Sequence, residues 1–531
     1  MTAMRLWRGL FIFLCVLFLA GAPAVSAQTS LESACESLIS ADFSNLPDAP
    51  TRILKSEVVP VAAERPAHCL VSGNIAPTVG FTLAMPLSGW NGKYFQHGCG
   101  GSCGTSRLFY CDEPLNRGYA CITTDMGHSG PPREWMWAYE NLQAQVDFGF
   151  RSTHVTLIAG KAIVKAFYNS APNRAYFYGC STGGRQAMVE AQHFPWDFDG
   201  IIVGAPVINQ TGAGLQILWT HLANRDKNGQ EILKARDARL MHAAVLKQCD
   251  MNDGLKDGLI GDPRRCPFDP ASLQCTAANS GQCLSAPQID AARKIYSGPQ
   301  SSEGKALYTG GLVPGSELAW IGDFVAADGK SPAPINADFM RFISLGSFNG
   351  HHWKPEQFDF DRDYQRFGLV EPLFSGSNPD LRKFKARGGK MIGFQGWNDQ
   401  SIVPLNFLDY YQTVVRTMGG LEKTQDFYRL FMIPGMRHCI FDGMSGGADA
   451  INFLDYLEKW VEKGEVPEAM IGSHVLRDAP LTRALTFPLP ADKIDFTRPH
   501  YPYPAQYRYK GRGDANDAAN FEKSVVNVPA I

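Results

Sequence analysis

The stretch Ala175-Tyr-Phe-Tyr-Gly-Cys-Ser-Thr-Gly-Gly184 decides the fold. Its first five residues are apolar or aromatic and read as a buried strand. From Gly183 to Gln192 the pattern turns helical. Between them stands Gly179-Cys180-Ser181-Thr182-Gly183, which fits G-x-S-x-G. In that motif a tight strand-to-helix turn lifts a serine hydroxyl above the edge of a sheet. Small residues two before and two after the serine permit the turn. The helix N-terminus that follows favours negative charge developing nearby.

Working outward, strands and helices alternate on both sides. Residues 94–97 and 118–124 read as strands, and Val155, Ile158, Ala159, Ala162, Ile163, Ala166 and Phe167 share one helical face. Residues 200–206 form a further buried strand. The alternation resumes with strands at 390–394 and 428–433 and helices at 404–418 and 448–463. Such alternation predicts an α/β fold with a mostly parallel sheet covered on both faces. Between these two runs, residues 212–380 open with a helical segment, Glu231 to Gln248. They then lose regular alternation and are rich in Gly, Pro and Asp. So long a loop is unusual, so this stretch reads as an inserted lid domain. The expected organisation is 1–27 signal peptide, 28–211 first part of the core, 212–380 lid and 381–531 second part of the core.

A serine hydroxyl needs a base to remove its proton, and the base needs a carboxylate to orient it. In α/β hydrolases these follow in the order Ser, acid, His. Asp399 lies just after the 390–396 strand and His438 just after the 428–433 strand. Both positions leave the sheet at its carboxyl edge, where α/β proteins place ligand chemistry. Taken singly, Asp399 reads equally as a turn residue and His438 as one of 12 histidines. Their order and placement select Ser181, Asp399 and His438 as nucleophile, acid and base. The oxyanion would be held by the backbone N–H of Thr182 and by one from Gly98-Cys99-Gly100-Gly101. Gly100 and Gly101 are equal candidates, and a plain tight turn is the bland alternative.

Arg5 and Arg8 precede an apolar run from Leu10 to Ala20, and small residues end at Val25-Ser26-Ala27. That order predicts an export signal cleaved after Ala27, or after Ala24; a membrane anchor that stays in place is the other reading, for which the run is short. The destination is the periplasm or the medium. Of 13 cysteines, Cys15 would leave with the signal. The other 12, an even set in an oxidising compartment, read as disulfides. Candidates include Cys35, Cys69, Cys275 and Cys283, with Cys249 and Cys266 placed to staple an acidic loop. Zinc is the alternative, but paired CxxC knuckles are missing. A bridge between Cys180 and Cys439 would tie the serine turn to the histidine loop; two buried thiols are the other reading. The pairing of Cys99, Cys103, Cys111 and Cys121 stays open.

Residues 249–259, Cys-Asp-Met-Asn-Asp-Gly-Leu-Lys-Asp-Gly-Leu, carry Asp250, Asp253 and Asp257 around two Asp-Gly turns. Hard oxygen ligands of this kind suit Ca2+ in a structural role, with the main-chain carbonyls of Leu255 and Leu259 completing the shell. It is not an EF-hand, since position 12 is Gly261 rather than Glu. A solvated acidic turn is the other reading. Net charge is −2 and offers no basic field for nucleic acid.

Gly-Cys-Ser-Thr-Gly-Gly-Arg-Gln (179–186), Phe-Asp-Gly-Ile-Ile-Val-Gly-Ala-Pro (198–206), the Asp399 loop and Arg-His-Cys (437–439) resemble the tannase and feruloyl esterase family. The resemblance spans roughly residues 35–521. It implies an α/β-hydrolase core, a large lid between Ser and Asp, and calcium in that lid with main-chain ligands at Leu255 and Leu259. It also implies a Cys180–Cys439 disulfide and small aromatic ester substrates of feruloyl, galloyl or terephthaloyl type. Thr182 matches the feruloyl esterases rather than the terephthalate-ester enzyme, where Glu is expected. The tail at Tyr501-Pro-Tyr-Pro lacks an expected cysteine pair. Trp320, Phe339 and Phe342 are lid aromatics that would either pack an aryl ring or simply fill the lid. Two rivals remain: an amidase or transesterase using the same triad, and a calcium-stabilised binding protein without catalysis.

Overall fold

The computed structural model describes residues 24–62, 65–277, 281–327, 337–344, 352–439, 446–476 and 487–525. Nearly all of the expected signal segment, residues 1–23, lies outside them, and a helix, Ala24–Ser37, begins the described chain. No helix among the described residues is long and apolar enough to cross a membrane.

Nine strands form one sheet: β1 (Thr51–Val59), β2 (His68–Ile75), β3 (Val79–Pro86), β4 (Lys93–His97), β5 (Ala120–Thr124), β6 (Arg174–Cys180), β7 (Gly200–Gly204), β8 (Lys390–Gly396) and β9 (Tyr428–Ile433). Their order is β1-β2-β3-β5-β4-β6-β7-β8-β9. Every pairing from β5 to β9 is parallel, as the alternation predicts. The β1–β3 arm is antiparallel, and sequence reading did not find it. Disulfide Cys35–Cys69 ties the Ala24–Ser37 helix to β2.

The parallel strands are buried on both faces, and alternate residues feed two cores. Phe177, Ile201, Val203 and Met391 pack on one side with Ile163 of the Ser152–Tyr168 helix and Phe407 of the Pro404–Thr417 helix. Tyr176, Ile202, Ile392 and Phe394 pack on the other with Leu457 and Trp460 of the Phe453–Lys463 helix. Each such side chain removed from water contributes about 1.5–3 kcal/mol. Two helices start later than expected, at Ala235 and at Phe453. Glu231 instead bridges to Arg225 as isolated β-pairing, and Ala450 to Ser473, so these residues give their backbone to strand contacts.

Between β7 and β8 the chain leaves the sheet for residues 205–389, and no strand of the sheet comes from this stretch among the described residues. Its aromatic and aliphatic residues pack into two clusters, one around Phe339, Phe342, Phe358 and Phe374 that also takes in Met126, Trp135 and Phe148, and one around Trp320, Phe324 and Leu284. After β9, two short hairpins, β10 (Met470–Val475) with β11 (Ile494–His500) and β12 (Ala505–Tyr509) with β13 (Phe521–Val525), were also unread in the sequence.

Candidate active site

Ser181 sits between β6 and the Thr182–His193 helix with φ +62° and ψ −121°, a backbone conformation that non-glycine residues rarely adopt. The neighbouring strand holds it there. Its N–H donates to the Gly204 carbonyl at 3.0 Å, and its own carbonyl accepts from Arg185 and Val207. A Cβ on Gly179 would strike the Gly183 carbonyl, and one on Gly184 would strike the Gly204 carbonyl. The flanking glycines are therefore required by close backbone approach.

Asp399 is fully buried, and every side of its carboxylate is satisfied. Oδ1 accepts from the backbone N–H of Ser401 at 2.9 Å and of Ile402 at 2.8 Å. Oδ2 accepts from Gln395 Nε2 at 2.9 Å. His438 Nδ1 lies 3.0 and 2.9 Å from the two oxygens. Such a carboxylate fixes the Nδ1–H tautomer and leaves Nε2 as the basic nitrogen. Cys180 and Cys439 form the expected disulfide, joining the residue before the serine to the residue after the histidine. Ser181, Thr182 and His438 line one cavity of about 470 Å3.

The glycine loop after β4 packs directly on the serine turn. Thr182 Oγ1 donates to the Gly101 carbonyl at 2.6 Å. In this loop Gly98 N–H goes to the Tyr178 carbonyl, Cys99 N–H to Gln186 Oε1, Ser102 N–H to the Pro132 carbonyl and Cys103 N–H to the Gly100 carbonyl. The N–H groups of Gly100 and Gly101 are the two with no hydrogen bond among the described residues. Gly101 has φ +62°, and a Cβ there would strike the Pro132 carbonyl, whereas Gly100 faces open space.

All twelve described cysteines are paired, which removes the zinc alternative. Besides Cys180–Cys439, the bridges are Cys35–Cys69, Cys249–Cys266 and Cys275–Cys283, and the open set resolves into Cys99–Cys103 and Cys111–Cys121. The last two brace the glycine loop after β4 and the segment that follows it.

Of the two readings of the lid aromatics, packing holds. Trp320, Phe339 and Phe342 do not line the cavity: Trp320 is buried with Leu284 and Phe324, and Phe339 and Phe342 are buried in a cluster shared with Met126, Trp135 and Phe148. Phe324, Val207, Ala213, Ile217 and Ile402 form its apolar wall, with Trp135 and Gln210. Trp135 Nε1 and Gln210 Oε1 are buried without hydrogen-bond partners among the described residues. The insert is tied to the loops that carry Asp399 and His438. Asn398 Nδ2 donates to the Gly315 carbonyl, Gln400 Nε2 to Asp323 Oδ2, and Arg437 to the Leu318 carbonyl. None of these long-range contacts leaves a local sequence signal.

In the acidic loop, Asp250 accepts from the amides of Asp257 and Gly258, Asp253 Oδ1 from Leu255, and Asp257 Oδ1 from Leu259. Asp253 Oδ2 is buried with no hydrogen-bond partner among the described residues. Burial, then the charges of Asp257 and Asp250, push the Asp253 carboxyl up to about 7. Burial also raises Asp250. These donors fit a hard dication, which would remove the orphaned charge. The three carboxylates are not drawn into one shell, however. Asp257 Oδ2 accepts from Arg498, and the one triplet of described ligand atoms within 4.8 Å of one another is His154, Glu190 and Asp197. Leu259 packs against Gly435, three residues before His438, so the loop lies behind the histidine loop.

The family model for tannase and feruloyl esterase matches residues 65–524. The chain belongs to that family. Its members are carboxylic ester hydrolases, and so is this protein. It is 32% identical to the mono(2-hydroxyethyl) terephthalate hydrolase of Piscinibacter sakaiensis, covering 87% of this chain and 85% of that one. It is 33% identical to a probable feruloyl esterase of Arthroderma benhamiae, over 82% and 80% of the two chains. Feruloyl esterase B of Aspergillus oryzae superposes with a TM-score of 0.80 at 27% identity, over 93% of this chain and all of that one. The tannin acyl hydrolase of Aspergillus niger shares the fold, with a TM-score of 0.73 at 19% identity over 94% and 95%. The α/β-hydrolase fold read from the sequence is therefore correct.

Proposed function

We propose that this tannase-family protein is an exported serine esterase that cleaves esters of aromatic acids through an acyl-enzyme on Ser181. The observation that carries the reading is the Asp399–His438 pair held by the Cys180–Cys439 bridge beside the strained Ser181 turn. His438 Nε2 takes the Ser181 proton as Oγ attacks the ester carbonyl. The N–H groups of Thr182 and of Gly100 or Gly101 hold the oxyanion. His438 returns the proton to the leaving alcohol, and water then releases the acid by the same route. The apolar wall of Ala213, Ile217 and Phe324 suits an aryl ring, with residues 212–380 as the lid. Twelve cysteines in six bridges support folding in an oxidising compartment. Asp250, Asp253 and Asp257, with the carbonyls of Leu255 and Leu259, would hold a structural Ca2+ that neutralises the buried carboxylates.

The test is hydrolysis of methyl ferulate, methyl gallate and mono(2-hydroxyethyl) terephthalate by oxidised protein, beside Ser181→Ala. Turnover by wild type and not by the variant is expected, and the preferred ester identifies the acid. A folded, calcium-loaded protein that turns over none of them and resists a fluorophosphonate would sink the serine mechanism and favour a binding protein.

A further inference from the structure

Glu190 lies in the last turns of the Thr182–His193 helix and is wholly out of water. Neither of its carboxylate oxygens has a hydrogen-bond donor among the described residues. A carboxylate buried in that way is costly unless something neutralises it.

The end of the helix brings in a second carboxylate. Phe194 N–H donates to the Glu190 carbonyl at 3.0 Å, and Asp197 N–H donates to the Phe194 carbonyl at 3.0 Å. This turn carries Asp197 back beside Glu190, and Asp197 is buried too. A third group arrives from the first turn of the Ser152–Tyr168 helix. His154 Nδ1 lies 2.6 Å from Asp197 Oδ2, and its ring is stacked flat on Phe194 with centroids 3.9 Å apart. One ligand atom from each of His154, Glu190 and Asp197 lies within 4.8 Å of the other two. None of the three lines the catalytic cavity.

Lys161 is the cation close by. Its Nζ donates to the Asp197 carbonyl at 2.9 Å, and its charge offsets one of the two carboxylates. The other is left over. Two carboxylates that face each other need either a proton or a metal ion between them. Burial, then the Asp197 charge, pushes the Glu190 carboxyl well above its ordinary range, so the proton is the competing occupant. The histidine separates the two cases. A shared proton needs two oxygens and no third group, whereas a ring nitrogen converging on the same point supplies a third ligand. One imidazole with two carboxylates suits a transition-series dication, while calcium prefers oxygen alone.

We propose that His154 Nδ1, Glu190 and Asp197 form a zinc site, built without cysteine, that pins the C-terminal end of the Thr182–His193 helix to the Ser152–Tyr168 helix. The ion takes the place of the hydrogen bond between Nδ1 and Asp197, and the displaced proton goes to solvent. The helix that opens at the Ser181 turn is then fastened at its far end.

The test is titration of chelator-treated, tag-free protein with Zn2+, by calorimetry and by thermal unfolding. Wild type is expected to bind one ion per chain at this site, with a heat that depends on the buffer's ionisation enthalpy because protons are released. Zinc in large excess should raise the melting temperature by on the order of 3 °C. Glu190→Gln, which keeps the volume, and His154→Phe, which keeps the stack on Phe194, should each weaken that binding by on the order of 100-fold or more. Asp253→Asn should leave it unchanged, which separates the site from the acidic loop. A melting temperature indifferent to zinc, or binding that survives both ligand variants, overturns the proposal. So does a Glu190→Gln protein that melts above zinc-loaded wild type, since the pocket then holds a shared proton.

Discussion

Two loops of this protein bury aspartates beside a disulfide, and they treat the charge in opposite ways. Asp399, tied in by Cys180–Cys439, is satisfied by two backbone amides, Gln395 and the His438 ring. Asp253, under Cys249–Cys266, keeps one buried oxygen with no partner and has two like charges for company. A buried carboxylate costs several kcal/mol unless it is paired. The first loop meets that cost from its own chain and aims a base. The second leaves it unmet, which is what a cation site does before its ion is counted. The largest test of the contrast is kinetic. Ser181→Ala or His438→Ala should lower kcat on the order of 10^4-fold or more, and Asp399→Asn by about the same, since the wrong tautomer then faces the serine. Asp253→Asn should act on stability instead. Equal kcat losses from Asp399→Asn and Asp253→Asn, at matched stability, would erase the distinction.

The first loop was the more legible in sequence, for a physical reason. Its parts stand at the ends of strands whose burial on both faces leaves continuous apolar runs, and the chain order Ser181, Asp399, His438 follows from the parallel sheet. The β1–β3 arm went unread because uneven burial leaves its pattern mixed; in β1, Leu54 and Lys55 are exposed and Ser56 to Val59 only half-buried. The cavity wall went unread because it is assembled across the fold. Phe324 reaches the site from the insert, while Trp320, four residues away, is consumed by packing. Cysteine spacing alone could not separate the Cys99–Cys103 and Cys111–Cys121 pairing from its alternatives.

The two bridges give the next effect. Cys180–Cys439 spans 259 residues and Cys249–Cys266 spans 17. On chain-entropy grounds, removing the first by a paired Cys→Ala change should cost about 5 kcal/mol, and removing the second roughly 2 kcal/mol less. Thermal unfolding of both variants checks this. The longer bridge should also cost kcat, because it holds nucleophile and base in register. A Cys180→Ala/Cys439→Ala variant with unchanged kcat would reduce that bridge to a purely structural staple.

Calcium removal comes next. Chelation should lower stability by up to about 4 kcal/mol at calcium concentrations far above the dissociation constant. It should also slacken the His438 loop, since Leu259 packs against Gly435. Asp253→Asn should make the melting temperature indifferent to chelator. If the wild type is already indifferent, the acidic loop is an ordinary solvated turn and the contrast with Asp399 loses its second half.

The smallest effect tests a third way of handling a buried ionisable group, which is to keep it neutral. His97 lies in the cavity wall, and burial pushes its imidazole down to about 4. Unfolded, the same ring titrates near its ordinary 6.5. Between those values the unfolded chain binds the extra proton and the folded chain does not. Stability from this group is therefore complete above pH 6.5 and is lost as the pH falls from 6.5 to 4. The loss is roughly 3 kcal/mol at most. His97→Gln should flatten that part of the stability–pH curve, read by denaturant unfolding between pH 4 and 7. An unchanged slope would mean that the ring accepts a proton in place, and that the cavity tolerates a third cation beside Arg107 and Arg133.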